Sequence, residues 1–390
     1  MSGTDNRRDR GLTYGMIGGG VGSFIGSVHR KSLALNGGTR LACGCFDIVW
    51  ENNLLIGRQS SVEEGRIYPD YLKMLEAEAA REDRVDFIAI ATPNNLHYII
   101  ARACLEHGFH VVCEKPMCFE LEEAYELKRL AEEKNLLFCV CYSYIGYPMV
   151  KQARKMIEDG AIGDITVVMA EYAQQWVAER VQESGGKPSF WRNDPKVSGG
   201  SLCVGDIGTH VECTVSYMTG LKIEKLCASL RSIGEGIGLD SNAEILVKYK
   251  GGASAIYWCS QVAVGIGNCF RIRVFGTKGS LDWSHESPGE LKYASLGSPT
   301  QTLVQGKKYM DPSVLKYCRI PASHPEGFIE AFANNYIAFT EALMKVRNGI
   351  VPARNELDFA GVDEGISGVN FIRRCLESSA QNGVWVNFRD

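Results

Sequence analysis

The sequence lacks long apolar runs and an excess of either charge. Its 390 residues carry 42 basic and 46 acidic side chains, a formal net charge of −4. This balance provides no electrostatic surface for nucleic acid or an anionic membrane. No stretch approaches the roughly 18 apolar residues of a transmembrane helix, and residues 1–10 lack the apolar core of a signal peptide. We therefore expect a cytoplasmic protein that binds a small molecule, with no nucleic-acid or membrane partner.

Cysteine is abundant, but metal-binding and redox spacings are missing. None of the 14 cysteines forms a Cys-x-x-Cys pair, which argues against a zinc ribbon or a thioredoxin-like site. Pairs such as Cys43 and Cys45 lie within apparent strands, where reduced thiols serve as small buried apolar groups. Because His, Cys and carboxylate residues do not cluster at ligand spacing, we expect no metal.

The first part of the chain alternates strand and helix patterns. Apolar runs typical of buried strands occur at residues 12–17, 39–46, 85–91, 109–113 and 136–141. Helix-compatible segments separate these runs, and the alternation indicates an α/β fold with a doubly wound parallel sheet. We therefore predict a Rossmann domain over residues 1–142.

A glycine-rich turn joins the first strand to the first helix. Residues 18–26 read Gly-Gly-Gly-Val-Gly-Ser-Phe-Ile-Gly. Glycines in such a turn let backbone N–H groups approach a pyrophosphate at the positive end of a helix. The strict dinucleotide fingerprint has glycine where Ser23 stands, and a longer turn accommodates this departure. We predict cofactor contacts from Gly18, Gly20, Val21, Gly22, Ser23 and Phe24.

Asp47 follows the second strand and indicates the type of dinucleotide. A carboxylate at this position accepts hydrogen bonds from both ribose hydroxyls of adenosine and repels a 2′-phosphate. Its distance of 29 residues from Gly18 exceeds the usual spacing of about 20. The sequence thus favours NAD over NADP.

Polar residues follow the third and fourth strands, at the edge where ligands bind in open α/β sheets. Thr92, Asn94 and His97 are candidates for cofactor contacts, although Asn94 also fits as a helix N-cap. Glu114 and Lys115 follow the fourth strand and are further candidates. A lysine at the carboxyl end of a buried strand faces the ligand crevice, so Lys115 is our first candidate for catalysis. The alternative is a pair of ordinary loop charges.

The second part of the chain has strand patterns in succession. They lie at residues 165–172, 223–230, 243–249, 253–261 and 270–275, with closing helix patterns at 326–347 and 357–379. Strands without intervening helices indicate an antiparallel or mixed sheet. We therefore predict an α+β domain with a large, mostly antiparallel sheet over residues 143–390.

The segment 205–210, Gly-Asp-Ile-Gly-Thr-His, stands at the predicted start of a helix in this second domain. Asp206 and His210 are four residues apart and therefore share a helix face. A histidine accepts a proton from an alcohol near neutral pH, and a neighbouring carboxylate stabilises its charged form. The alternative is a helix cap at Asp206 and a core histidine at His210.

Together these motifs resemble the glucose–fructose oxidoreductase, inositol dehydrogenase and MocA (Gfo/Idh/MocA) family. The resemblance covers most of the chain and rests on residues 18–22, 92–97, 114–116 and 205–210. It implies that Lys115, Asp206 and His210 form a catalytic triad and that the Lys115–Pro116 peptide bond is cis. It further implies NAD-dependent oxidation of a secondary hydroxyl on a sugar, glycoside or cyclitol. A homo-oligomer is also implied, because the large sheet commonly packs on a partner subunit in this family.

Candidates for substrate contacts are Tyr142, Gln174, Trp191, Arg192 and His210. Aromatic rings stack on the apolar faces of sugars, and amide and guanidinium groups bind hydroxyls. We interpret residues 191–195 as a capping loop, with an exposed connector as the alternative. Family members that act at C3 of glucosides have similar Trp-Arg loops, and this resemblance favours a glycoside 3-dehydrogenase.

Three other functions are considered. An inositol dehydrogenase has the same motifs. A glycosidase of the same fold would oxidise C3 transiently, eliminate the aglycone and reduce the ring again. A non-catalytic NAD or sugar sensor is disfavoured, because Lys115, Asp206 and His210 are all present.

Overall fold

The structure is a computed structural model that describes residues 11–186 and 190–388. The strands are β1 (Leu12–Gly18), β2 (Thr39–Cys45), β3 (Phe87–Ala91), β4 (His110–Cys113), β5 (Phe138–Val140), β6 (Ile165–Gln174), β7 (Ile223–Arg231), β8 (Asn242–Tyr249), β9 (Ser254–Ser260), β10 (Asn268–Gly276), β11 (Gly279–Ser284), β12 (Glu290–Ser295), β13 (Gln301–Val304) and β14 (Val386–Asn387).

The α-helices are α1 (Phe24–Leu35), α2 (Trp50–Gln59), α3 (Tyr71–Ala79), α4 (His97–Glu106), α5 (Leu121–Glu133), α6 (Pro148–Glu158), α7 (Trp176–Glu183), α8 (Pro195–Ser198), α9 (Thr209–Thr219), α10 (Pro312–Leu315), α11 (Phe328–Arg347) and α12 (Val362–Ala380). No helix within these described residues is long and apolar enough to cross a membrane.

Residue contacts divide the chain into two units. The first runs to Ser143 and also includes Phe328–Ile366, whereas the second comprises Tyr144–Gly327 and Ser367–Asp390. The sequence-based division assigned everything after residue 142 to the second domain. The difference arises because α11 packs with the first unit, a long-range contact that a division along the chain does not reveal.

The first unit contains the predicted parallel sheet, with strand order β2-β1-β3-β4-β5. Its strands are apolar runs because both faces of a parallel sheet are covered by helices. Aromatic residues of α11 belong to its core, and Phe339 meets Phe87 edge to face at a centroid distance of 5.3 Å. Ser32 of α1 and Asn36, the residue that follows this helix, donate hydrogen bonds to carbonyl groups of α11. The prediction of a Rossmann sheet is confirmed.

The second unit contains a nine-stranded sheet with order β13-β12-β11-β10-β6-β9-β8-β7-β14. Its strands pair antiparallel except for β6 and β9, which are parallel. The predicted large, mostly antiparallel sheet is therefore confirmed. Strands β11, β12 and β13 were not predicted, because they are short and lie among glycine, serine and proline residues that resemble loops.

The cysteines are reduced thiols, and 11 of the 14 are buried. Cys43 and Cys45 lie in β2, and Cys139 lies in β5. They fill the core as small apolar side chains, in agreement with the sequence analysis.

Candidate active site

The glycine-rich turn between β1 and α1 has the tight backbone packing of a phosphate-binding turn. Gly18 and Gly19 have φ angles of 83° and 75°. A Cβ atom on Gly18 would lie 2.5 Å from the carbonyl oxygen of Ala91, so no side chain fits there. Ser23 caps α1, and its Oγ accepts a hydrogen bond from Gly26 N at 3.1 Å. The helix therefore begins directly at the turn, as an anion site at a helix N-terminus requires.

In the strict fingerprint, a glycine at the position of Ser23 lets the helix pack closely against the strand. In this chain Gly26 provides the close contact of the helix. A Cβ atom on Gly26 would lie 2.3 Å from Gly19 Cα. Arg30, one helical turn further along α1, donates a hydrogen bond to Gly19 O at 2.9 Å. The turn is longer than in the strict fingerprint, and the glycine that packs against it therefore stands three positions later, at Gly26 instead of at Ser23.

Asp47 directly contacts this turn despite its distance along the chain. Its Oδ2 accepts a hydrogen bond from Val21 N at 3.2 Å, and its Oδ1 accepts one from Val49 N at 2.9 Å. A Cβ atom on Gly20 would lie 2.3 Å from Oδ2. A carboxylate at the end of β2, beside a phosphate-binding turn, is placed to accept hydrogen bonds from ribose hydroxyls.

His97 joins the loops that follow β3 and β4. Its Nδ1 lies 2.7 Å from Pro116 O and its Nε2 lies 3.0 Å from Thr92 O. The ring has no exposed surface, and burial lowers the pKa of His97. Direct cofactor contact by His97, which the sequence predicted, does not fit an enclosed ring. Its role is to hold the two loops together.

Other predicted residues of the first unit lie around these loops. The Lys115–Pro116 peptide bond is cis, as the family resemblance implied. Asn94 begins a single 3₁₀ turn and does not cap α4, which is preceded by Leu96. Phe24 is 71% exposed at the start of α1 and is therefore accessible to a ligand.

Glu114 belongs to a buried cluster that sequence spacing did not reveal. His29 Nε2 lies 3.1 Å from Glu114 Oε1, and Lys115 N donates a hydrogen bond to Oε2 at 3.2 Å. The Cys141 thiol lies beside this carboxylate, and burial raises its pKa well above the usual value. His29, Glu114 and Cys141 each have one atom that could bind a metal, and these three atoms lie within 4.8 Å of one another. In the sequence, 85 residues separate His29 from Glu114. Because His29 and Glu114 already hydrogen-bond to each other, we interpret the cluster as part of a hydrogen-bond network.

In the second unit, Asp206 and His210 lie at a widened turn where a helix begins. Residues Val204–Gly208 form a π-helix, closed by Thr209 N donating to Val204 O, and α9 continues from it. Such π-helical turns are frequent at functional sites. Asp206 lies within this π-helical turn, and His210 follows four residues later in the first turn of α9.

Asp240 anchors this turn. Its Oδ1 accepts a hydrogen bond from Leu202 N and its Oδ2 accepts one from Val204 N, both at 2.9 Å. Burial raises the pKa of the Asp240 carboxyl group, while these hydrogen bonds oppose the shift. Ser201 Oγ accepts a further hydrogen bond from Gly205 N at 3.0 Å. The first N–H groups of a helix lack partners within it, and these side chains supply them.

The carboxylate of Asp206 is held between a buried and an exposed partner. Gln261, which has no exposed surface, donates a hydrogen bond from Nε2 to Asp206 Oδ2 at 2.8 Å. Arg192 Nε lies 3.6 Å from Oδ1, and the Arg192 guanidinium lies 4.3 Å from the centre of the Trp191 ring. The predicted Trp191–Arg192 segment thus reaches the predicted catalytic carboxylate. Gln261 was missed, because a glutamine at the end of a strand has no local motif.

His210 packs against a group of hydrogen-bonded aromatic residues. Its ring meets Tyr144 edge to face at a centroid distance of 5.0 Å. The hydroxyl groups of Tyr144 and Tyr172 hydrogen-bond to each other, and burial raises the pKa of Tyr144 to about 12. Gln174, a predicted substrate residue, donates from Nε2 to Tyr172 Oη at 3.4 Å and to Asn268 Oδ1 at 2.7 Å. Gln174 and His210 therefore belong to one polar and aromatic region.

Tyr142, which the sequence analysis assigned to the substrate, is enclosed in the first unit. It is 1% exposed, and its carbonyl oxygen accepts a hydrogen bond from Asn335 Nδ2 at 3.2 Å. Tyr144, two positions later, contacts His210. A segment of alternating tyrosines did not reveal which one would face the site.

The fold and these contacts together define a dinucleotide-binding protein of the Rossmann class. Comparison with family models makes the assignment specific. Residues 12–142 match the model of an oxidoreductase family with an NAD-binding Rossmann fold, and residues 150–282 match the Gfo/Idh/MocA C-terminal domain. The chain therefore belongs to the Gfo/Idh/MocA family of NAD-binding oxidoreductases.

Individual relatives extend over nearly the whole chain. The protein named uncharacterized oxidoreductase YfiI, from Bacillus subtilis (strain 168), is 38% identical over 381 residues, which are 97% of each chain. An inositol dehydrogenase homolog from Azotobacter vinelandii, crystallised with NAD+, is 37% identical with a TM-score of 0.90, covering 99% of this chain and 100% of that one. A structure of that inositol dehydrogenase homolog with NADH and myo-inositol has a TM-score of 0.89 at 37% identity, covering 97% and 98%.

A dehydrogenase named for a sugar is also among the relatives. Levoglucosan dehydrogenase from Pseudarthrobacter phenanthrenivorans is 29% identical over 322 residues, which are 73% of this chain and 76% of that one.

Proposed function

We propose that this protein transfers a hydride between NAD and a ring CH–OH group of a cyclitol or sugar, with inositols as the first substrates to test. The observation that carries this proposal is the helix start that contains Asp206 and His210, with Arg192 and Gln261 on the Asp206 carboxylate. The inositol dehydrogenase homolog crystallised with NADH and myo-inositol supports the substrate class.

The residues have complementary roles in this proposal. Bound NAD supplies the hydride acceptor. His210 takes the hydroxyl proton as the alcohol is oxidised, and Asp206 stabilises the resulting imidazolium. Lys115 donates a hydrogen bond to the same oxygen and stabilises the negative charge that develops on it.

The cofactor side of the proposal rests on the glycine turn and the loops of the first unit. The glycine-rich turn at the start of α1 binds the pyrophosphate, and Asp47 accepts hydrogen bonds from the adenosine ribose. Thr92, Asn94 and Glu114 belong to the loops that border the nicotinamide, with His97 holding them in place.

The direct experiment measures NADH formation by the purified protein with a panel of alcohols. The panel contains myo-inositol, scyllo-inositol, levoglucosan, D-glucose and methyl β-D-glucoside, each with NAD+ and with NADP+. We expect NADH formation with at least one cyclitol or sugar, and we expect His210→Ala to abolish most of it. If NAD binds tightly but none of these alcohols reduces it, the proposed function is contradicted.

A glycoside 3-dehydrogenase is the second candidate, favoured by the position of Trp191 and Arg192. Trp191 is 38% exposed and the Arg192 side chain is 40% exposed beside Asp206. An exposed aromatic ring next to a guanidinium suits a sugar face and its hydroxyls. Turnover of methyl β-D-glucoside but not of inositols supports this candidate. Release of methanol without net NADH would instead indicate a glycosidase.

We also propose that a second copy of the chain covers the open face of the nine-stranded sheet. Leu246 and Ile256 are 45% and 48% exposed and pair directly across β8 and β9, and Met169 of β6 extends the same row. An apolar row in the middle of a sheet face is typical of a subunit interface. Light scattering is expected to show a dimer or higher oligomer that Ile256→Glu weakens. The control Val264→Glu alters a residue that is 82% exposed outside this row.

A further inference from the structure

The mechanism above does not use His29, although this residue lies at the centre of the buried cluster in the first unit. His29 has no exposed surface, and Glu114 and Tyr336 are 7% and 2% exposed. His29 Nδ1 lies 2.5 Å from Tyr336 Oη, and its ring meets Phe332 edge to face at 4.8 Å between centroids. Both nitrogen atoms of the His29 ring therefore have polar partners.

The hydrogen-bond directions in this cluster follow from the chemistry of its members. A carboxylate oxygen accepts, so His29 Nε2 carries the hydrogen that faces Glu114 Oε1. In the neutral ring Nδ1 then accepts from the Tyr336 hydroxyl, whose pKa burial raises well above the usual value. Tyr336 thereby fixes the tautomer in which His29 donates to Glu114.

Glu114 connects the His29 hydrogen bond to the backbone at Lys115. Its second oxygen, Oε2, accepts the hydrogen bond from Lys115 N. On the other side of Lys115, the carbonyl oxygen of Pro116 lies 2.7 Å from His97 Nδ1. The backbone on either side of Lys115 is therefore held by a buried side chain.

We infer that His29 is a positioning residue, which holds Glu114 and through it the Lys115 backbone so that the lysine ammonium reaches the reacting oxygen. The catalytic part of this inference rests on the proposed function. The structural part, that His29 restrains the Lys115 amide, stands without it. A buried carboxylate that loses one hydrogen-bond donor keeps an unsatisfied oxygen atom, and the side chain moves to find another donor.

The first test uses His29→Leu and His29→Gln and needs no substrate. Leucine has no donor, whereas the glutamine side chain can place an N–H near the position of Nε2. We expect the Lys115 amide in His29→Leu to exchange its hydrogen about tenfold faster than in the wild-type protein, and His29→Gln to stay near wild type. Peptides from β8 serve as the internal control. Equal exchange at Lys115 in all three proteins would overturn the inference.

Tyr336→Phe provides the same test if His29→Leu does not fold. It removes one hydroxyl group and leaves the imidazole in place, so we expect a smaller increase in exchange at Lys115. No increase in this folded variant contradicts the inference. Stoichiometric zinc in the purified protein, absent from His29→Gln, would also overturn it, because the cluster would then be a metal centre.

The second test measures activity with a substrate found in the alcohol panel. We expect His29→Leu to lower kcat by about tenfold to a hundredfold with little change in the KM for NAD, and His29→Gln to restore most of the loss. In a Lys115→Ala background, His29→Leu is expected to cost little more, since it acts through Lys115. An equal loss in both backgrounds would show that His29 affects catalysis by another route. If no alcohol is turned over, the proposed function fails while the exchange experiment still decides on His29.

Discussion

The two polar networks of this protein differ in how far solvent reaches them. Around Glu114, the partners His29 and Tyr336 are 0% and 2% exposed. Around Asp206, Gln261 is fully buried, but the Arg192 side chain is 40% exposed. Buried partners are fixed by the fold, whereas an exposed ion pair adjusts when a ligand binds. Under the proposed function, we expect the Glu114 side to serve a constant cofactor and substrate choice to depend on the exposed residues near Asp206.

The largest expected effect comes from the proton acceptor. His210→Ala should lower kcat by about 10²–10⁴, the range for acid–base groups. NAD affinity should be retained, because we expect the glycine turn and Asp47 to bind the cofactor. Steady-state kinetics and NAD titration measure the two quantities, and His324→Ala, at an exposed histidine of the second unit, is the matched control. A His210→Ala protein with near-normal kcat would identify His210 as a core residue.

A second effect tests the displaced packing glycine. Gly26→Ala places a Cβ atom against Gly19, and overpacking of about 1–3 kcal/mol is expected to weaken NAD binding roughly 5-fold to 150-fold. Gly65→Ala is the control, since a Cβ atom there meets nothing within 4 Å. Calorimetric titration measures both affinities. Equal NAD affinity in the two variants would contradict the assigned role of Gly26.

A third prediction concerns cofactor choice. The wild-type protein should prefer NAD over NADP by at least about tenfold, or 1.4 kcal/mol, because Asp47 repels a 2′-phosphate. Asp47→Ser should narrow this preference. Asp70→Ser is the control, since Asp70 caps α3 and serine also caps helices. Equal use of both cofactors by the wild-type protein would show that Asp47 does not face the ribose.

The smallest effect is expected from changing Arg192, the exposed partner of Asp206. Arg192→Gln should leave the melting temperature nearly unchanged, because an exposed ion pair contributes roughly 0–1 kcal/mol. The KM for the alcohol should rise by about tenfold or less, while the KM for NAD stays constant. Arg180→Gln in α7 is the control, since Arg180 forms an even more exposed ion pair with Glu183. An unchanged KM for every alcohol would exclude Arg192 from substrate binding.

Local patterns were sufficient to predict the cofactor-binding elements. The strand, glycine turn and helix from Leu12 to Leu35 are contiguous, and so their order is visible in the sequence. Asp47 was recognised from its place after a strand, although its contact with Gly20 required the folded chain. The start of the helix with Asp206 and His210 was predicted as well, but not its π-helical turn or the Asp240 anchor.

Contacts between distant segments were beyond sequence reasoning. Tyr336 contacts His29 across 307 residues, and the packing of α11 on the first sheet depends on the same fold. Gln261 meets Asp206 across 55 residues. Such residues lack a motif because tertiary structure alone brings them together.

The central claim is that Lys115 and His210 act on one alcohol oxygen, although 95 residues separate them. The most direct measurement compares kcat for Lys115→Ala, His210→Ala and the double variant with the same substrate. Residues that act as a unit are non-additive, so we predict that the double variant loses far less activity than the product of the two single losses. Independent, multiplicative losses would contradict a shared reaction centre.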